Sequence, residues 1–313
     1  MFYICSMSGL HVLWFQHDLR VHDHAALRAA CQNAERDGGQ VLALFIRSGP
    51  SQSGQESQLW TKSFLTDALW DLRRALEQRG AALHVRQGDV LDVFSDLHTQ
   101  HQIISLHHHH DGPADETLRK VEAWALRAGV RFNLYKQMSP LRAPRDRTPG
   151  QSLWEQFMAR PRHEAPDSIV SANVGIGQWP QRASDAAAPD MSVTGGRKAA
   201  IRRLRAFLGA QVSEVPERQS AKSTFDDLQP HILLGTVSLR EVWQAAIGAH
   251  QQALKSGHDI RAASIASFLR FLPEVSEGIA PVQAARVYRP RRAKRAGDQL
   301  SLGLGDPNER GLS

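Results

Sequence analysis

Between residues 8 and 137, five short apolar runs alternate with amphipathic segments, and nothing else in the chain constrains its fold as tightly. His11-Val12-Leu13-Trp14-Phe15 is a continuous apolar run, the pattern of a strand covered on both faces of a sheet. Val41 to Ile46, Ala82 to Val85, Ile103 to His107 and Val130 to Tyr135 follow in the same style. After the first run, Ala26, Leu27, Ala30 and Cys31 recur at helical spacing, with Asp23 placed to cap that helix and Gly38-Gly39 to end it. Thr61 to Arg79 is the clearest helix, striped by Phe64, Leu65, Ala68, Leu69, Leu72, Ala75 and Leu76 and closed by Gly80. Val90 to Leu97 and Asp115 to Ala128 supply two more. Strands alternating with helices across short loops imply parallel strands joined by right-handed crossovers. Residues 8–137 therefore read as a doubly wound α/β domain with a Rossmann-like, parallel five-stranded sheet.

From 138 to 195 the periodicity stops. Seven of the chain's 15 prolines fall there, with Trp154, Phe157 and Trp179 as scattered anchors, which reads as a Pro-rich interdomain connector. Gly195-Gly196 then opens a helix that runs to Leu208. Helical pieces from Ser238 to Ala246 and from Arg261 to Leu272 follow, and Pro273 is expected to stop the last. Residues 196–275 read as an incomplete all-α domain, and 276–313 as a basic, disordered tail.

Composition excludes several classes. The hydrophobic fraction is 42%, yet no apolar run approaches a membrane span, and Met1 to Leu10 lacks the flank and cleavage site of a signal peptide. Two cysteines, Cys5 and Cys31, make neither a disulfide framework nor a metal knuckle, which points to the reducing cytoplasm. No Gly-x-Gly-x-x-Gly follows a strand and no Gly-x-Ser-x-Gly elbow is present, which argues against a NAD enzyme and an α/β hydrolase. His107-His108-His109-His110 with Asp111 ends the fourth strand. Successive strand residues point to opposite faces, so a specific metal site is not expected from this run.

The segment Trp14-Phe15-Gln16-His17-Asp18-Leu19-Arg20-Val21-His22-Asp23 resembles the opening of DNA photolyases and cryptochromes. Asp18 and Arg20 are expected to pair in the loop at the strand's carboxyl end, and neither is assigned a catalytic role. A second stretch begins at Gly195-Gly196 with Arg197, Leu204, Phe207 and Leu208 and continues from Ser223 to Trp243; it is similar to that family's flavin-binding region, with Pro230-His231, Gly235, Ser238 and Arg240-Glu241-Val242 in order. The resemblance implies FAD as cofactor and blue-light repair of pyrimidine dimers, or light sensing, as function. It puts the flavin's phosphates against hydroxyl residues around Leu228. Here that cradle reads Asp226-Asp227-Leu228-Gln229, and carboxylates repel a diphosphate where hydroxyls would donate to it. Ser223, Thr224 and Leu228 are the cofactor-binding candidates that remain.

No Trp occurs beyond Trp243, and the long helical stretch that would hold the isoalloxazine ring is missing after Phe268-Leu269-Arg270. The expectation is a truncated flavin domain, weak or absent FAD binding and no photochemistry, with no catalytic residue assigned. The competing reading is an active minimal flavin photolyase or photoreceptor. An antenna chromophore is not expected either, because His stands where some family members carry an acidic residue.

The formal net charge is +6, and much of the excess crowds near the C-terminus. Arg289, Arg291, Arg292, Lys294 and Arg295 are candidates for DNA contact. Gln299-Leu300-Ser301-Leu302-Gly303-Leu304 resembles the short peptide by which bacterial repair proteins dock on the DNA sliding clamp. Extended, Leu300, Leu302 and Leu304 share one face while Gln299 fixes the register.

Overall fold

A computed structural model of the protein describes residues 9–47, 62–110, 116–136, 153–180, 194–209 and 217–277. The basic run and the Gln299–Leu304 peptide lie outside the described residues.

The apolar runs become β1 (Leu10–Phe15), β2 (Gln40–Arg47), β3 (Leu83–Gln87), β4 (Ile103–His109) and β5 (Arg131–Tyr135). All neighbours are parallel, in the order β3-β2-β1-β4-β5. Four helices join them: α1 (Ala25–Asp37), α2 (Lys62–Glu77), α3 (Val90–His101) and α4 (Glu116–Ala128). Alternation along β1 sends Leu13 and Phe15 into a core with α1 and α2, while Leu10, Val12 and Trp14 enter a second core with α3 and α4. The sheet is therefore buried on both faces, as its near-continuous apolar strands require.

The connector is not structureless where it is described. A short helix, α5 (Leu153–Met158), packs Trp154, Phe157 and Met158 on the helical layer. Beyond it the chain runs back along the sheet: single bridges join Val41 to Ser171 and Val85 to Gly177, and Ile169 and Trp179 cover the α2 side.

The helical layer comprises α6 (Arg197–Gly209), α7 (Glu217–Leu233), α8 (Leu239–Lys255) and α9 (Asp259–Glu277). Three sequence expectations need correction here. The region of the expected flavin cradle is one continuous helix, α7. The helix after Ser238 runs to Lys255, nine residues beyond the expected end. Pro273 does not stop α9, just as Pro230 sits inside α7. An interior proline costs about 3 kcal/mol or more. Packing of Phe225, Leu228, Ile232, Ile265, Phe268 and Leu272 into one core outweighs it. Among the described residues no helix is long and apolar enough to cross a membrane.

Candidate functional site

In a doubly wound sheet of this order, ligands sit outside the carboxyl ends of the strands where the winding reverses, between β1 and β4. Three side chains fill that position. Asp18 follows β1, His24 precedes α1 and His109 ends β4, each no more than 5% exposed. The Asp18 carboxylate lies 3.0 Å from His24 Nε2 and 3.0 Å from His109 Nδ1, and it accepts the Gln16 N–H at 2.9 Å. Burial alone would raise its pKa; the two imidazoles outweigh that and hold it well below the carboxylate range.

Three ligand-type atoms within 4.8 Å suggest a two-histidine, one-carboxylate metal centre. The far ring nitrogens decide against it. His24 Nδ1 accepts the Leu27 N–H at 3.0 Å, and His109 Nε2 accepts the Ala26 N–H at 3.4 Å. Each neutral ring must then carry its proton on the nitrogen facing Asp18. A metal-bound neutral imidazole needs the opposite tautomer, with the outer nitrogen donating. The cluster is built to clamp a carboxylate, and it fastens the β1–α1 loop.

This geometry corrects two expectations about that loop. Asp18 pairs with histidines and not with Arg20, which donates from Nη1 to the Gly235 carbonyl at 3.0 Å and from Nη2 to the Asp23 carbonyl at 3.1 Å. The N-cap of α1 is His24, not Asp23. Asp23 takes a positive φ of 50°, tolerated by Asp better than by most residues, and turns its carboxylate toward α8. Ser238 Oγ donates to it at 2.6 Å and Arg240 from Nη2 at 2.5 Å and Nε at 3.1 Å, while the His163 N–H donates at 3.1 Å. Burial opposes ionisation, yet the Arg240 and Ser238 bonds bring the Asp23 pKa down to about 2. Leu19 N–H adds a main-chain bond to the Leu234 carbonyl at 3.2 Å. Gly235, at φ +70°, lies so close to the His17 carbonyl and Asp18 Cα that any Cβ would overlap them. Together these bonds latch the helical layer onto the carboxyl end of β1.

The histidines of β4 divide between the faces, as a strand requires. His108 stacks on Trp14 with ring centroids 4.3 Å apart and bonds the Trp14 carbonyl at 3.0 Å. His107 joins a buried polar line on the other face: His11 to Ser105 Oγ at 2.8 Å, Ser105 Oγ to His107 Nε2 at 2.8 Å, and His107 Nδ1 to the Tyr135 hydroxyl at 3.0 Å. Sequence reasoning did not anticipate that line, although a serine two residues before a strand histidine shares its face and was readable as such.

The cofactor candidates do not converge. Ser223 is exposed on α7, Thr224 is half-buried, and Leu228 lies fully inside the helical core. Asp226 is exposed and bonded to Lys222 at 2.7 Å. The main-chain N–H groups of this segment belong to a helix, so they are turned along its axis toward preceding carbonyls. A cavity of about 370 Å³ lies elsewhere, at the domain junction, where Arg162, His163 and Glu164 face Glu241 and Gln244 across His22 and Asp23.

Residues 11–149 match the family model for DNA photolyase, over the domain that holds the Asp18 cluster and one side of the latch. Over those residues the chain matches the photolyase/cryptochrome family. It is 29% identical over 156 residues to cryptochrome DASH of Gloeobacter violaceus, covering 48% of this chain and 27% of that protein. Against the deoxyribodipyrimidine photo-lyase of Escherichia coli it is 24% identical over 275 residues, 79% of this chain and 56% of the photo-lyase. The chain thus spans little more than half, or less, of these family members. In fold it is similar to a Synechocystis cryptochrome, with a TM-score of 0.61 at 20% identity over 85% of this chain and 60% of that structure. That likeness in fold reaches past residue 149, where the family model ends.

Proposed function

We propose that this chain is a photolyase-family protein that carries out no flavin photochemistry and serves as a DNA-associated binding protein. The observation that carries the first half is the burial of Leu228. The residue around which the family resemblance arranges a flavin's phosphates is packed among α7, α8 and α9, with Asp226 exposed on the same helix. A carboxylate about 4 Å from a phosphate costs about 1 kcal/mol in water and about 4 kcal/mol near a protein surface, where a hydroxyl would have stabilised it. On this reading the residues in place do not fit a flavin dinucleotide.

The second half rests on the sequence: the cations from Arg289 to Arg295 suit a phosphate backbone, and Gln299, Leu300, Leu302 and Leu304 suit the sliding clamp's apolar groove. The test is direct. The purified chain is denatured, its flavin is quantified, and the native protein is illuminated with blue light beside an oligonucleotide carrying a pyrimidine dimer. The expected result is no bound flavin and no dimer reversal. Stoichiometric flavin together with light-dependent reversal would establish the competing reading, an active minimal photolyase.

A further inference from the structure

A cleft of about 490 Å³ opens at the carboxyl end of β1, between facing sides of α2 and α6. From α6 come Arg197, Lys198, Ile201, Arg202 and Arg205, a spacing that puts all five on one side of the helix. From α2 come Asp71, Leu72, Arg74 and Ala75, again one side, with Gln78 and Arg79 from the turn just beyond it, and the loop from Leu19 to His22 closes the floor. Among the described lining residues seven are cationic and one is acidic.

That one carboxylate is already committed. Asp71 caps α6, accepting the N–H of Arg197 at 2.8 Å and of Lys198 at 3.4 Å. Arg197 is committed too, held by both oxygens of Glu241 at 2.5 and 2.6 Å. Arg74, Lys198, Arg202 and Arg205 are exposed, and none forms an ion pair among the described residues. Arg79 gives one N–H to the Ala75 carbonyl at 2.7 Å, while its Nε is buried without a hydrogen-bond partner. Clefts lined by one sign of charge focus the field and concentrate counter-ions. Guanidinium forks match phosphate oxygens two at a time.

The rest of the lining limits the ligand. Leu19, Val21, Leu72, Ala75 and Ile201 supply an apolar floor, and among the described residues no Phe, Tyr or Trp lines the cleft. A single strand stacks its bases on such rings, and none is offered here. The volume falls within the range of about 300–1,000 Å³ for small-molecule sites. The usual crevice between β1 and β4 is filled by Asp18, His24 and His109, whereas this cleft is open on the α2 side of the same end of the sheet. We propose that the cleft binds a small polyphosphate anion, with Arg74, Arg79, Lys198, Arg202 and Arg205 holding the phosphates. This inference stands whether or not the chain binds flavin.

Titration calorimetry on the full chain at about physiological salt tests it, with inorganic triphosphate, ATP and a short DNA duplex as separate titrants. The expected result is saturable binding of triphosphate or ATP that weakens at least about tenfold in the Arg202→Ala/Arg205→Ala double variant. Both positions are exposed, so the fold is retained. Arg127→Ala, on α4 across the sheet, should bind as the parent does. Equal affinity for the two small titrants identifies the phosphate chain as the ligand; tighter ATP identifies a nucleotide over the apolar floor. Absence of saturable binding, or equal weakening in the Arg127 control, overturns the proposal. So does binding confined to the duplex and dependent on Arg202 and Arg205, which would make the cleft a nucleic-acid surface.

Discussion

Acidification should unfold this protein at a pH where most proteins are still stable. Burial pushes the pKa of His107 and His108 down to about 4 and of His109 and His231 down to about 3, so all four histidines are neutral in the native state. In the unfolded chain each returns to its ordinary 6.5. Between those values the unfolded state binds more protons, so stability is fully present above the ordinary value and falls as pH drops toward the folded one. From about pH 7 to about pH 5 each histidine loses about 1.8 kcal/mol, and the four together about 7 kcal/mol, as large as the whole stability of many domains. Even half that sum would be decisive. Urea denaturation followed by circular dichroism at several pH values across this interval reads the effect directly. His231→Gln should flatten the slope by about one proton. A free energy of unfolding constant within about 1 kcal/mol over the interval would refute the reasoning, because neutral burial of these rings could not then be correct.

Other consequences are open to measurement. Asp23→Ala strands the buried Arg240 guanidinium and should cost about 3–5 kcal/mol; adding Arg240→Ala should cost far less than a second such loss, and strictly additive effects would contradict a latch. Gly235→Ala forces a Cβ into the His17 carbonyl at a positive φ and should destabilise by about 3 kcal/mol or more, with an unchanged urea midpoint as the opposing result. For the C-terminal segment, Leu302→Ala or removal of residues 299–304 should abolish capture on the bacterial sliding clamp, and undiminished capture would sink that assignment. DNA affinity through Arg289 to Arg295 should fall steeply with rising salt; indifference to salt would exclude a backbone contact.

The α/β domain was legible because its signals are local. Continuous apolar runs, helical stripes and terminal glycines each act within a dozen residues, and together they give a parallel, doubly wound sheet, though not its strand order. What escaped the sequence lies at long range. Asp before a helix ordinarily caps it, and nothing near Asp23 reveals that its carboxylate is claimed by Ser238 and Arg240. Asp18 and Arg20 stand two apart, close enough to suggest a pair, but two histidines from different elements outcompete the arginine. The prolines misled in the same way. A local rule ends a helix at Pro273, while a core shared by α7, α8 and α9 holds the helix together across it.

The latch also bears on what the family resemblance signals. Of the two separated stretches that carry it, Leu19 to Asp23 in the first and Leu234 to Arg240 in the second are partners of each other. Leu19 bonds Leu234, Arg20 bonds Gly235, and Asp23 bonds Ser238 and Arg240. Leu228, beside which the resemblance puts phosphate-binding hydroxyls, lies on α7 in the core of the same helical layer. These motif residues dock one layer on the other. If they served flavin instead, Asp23→Ala would release cofactor before it loosened the helical layer. Limited proteolysis of the variant separates the cases, because a latch that fails exposes α6 to α9 while the β-sheet domain stays intact.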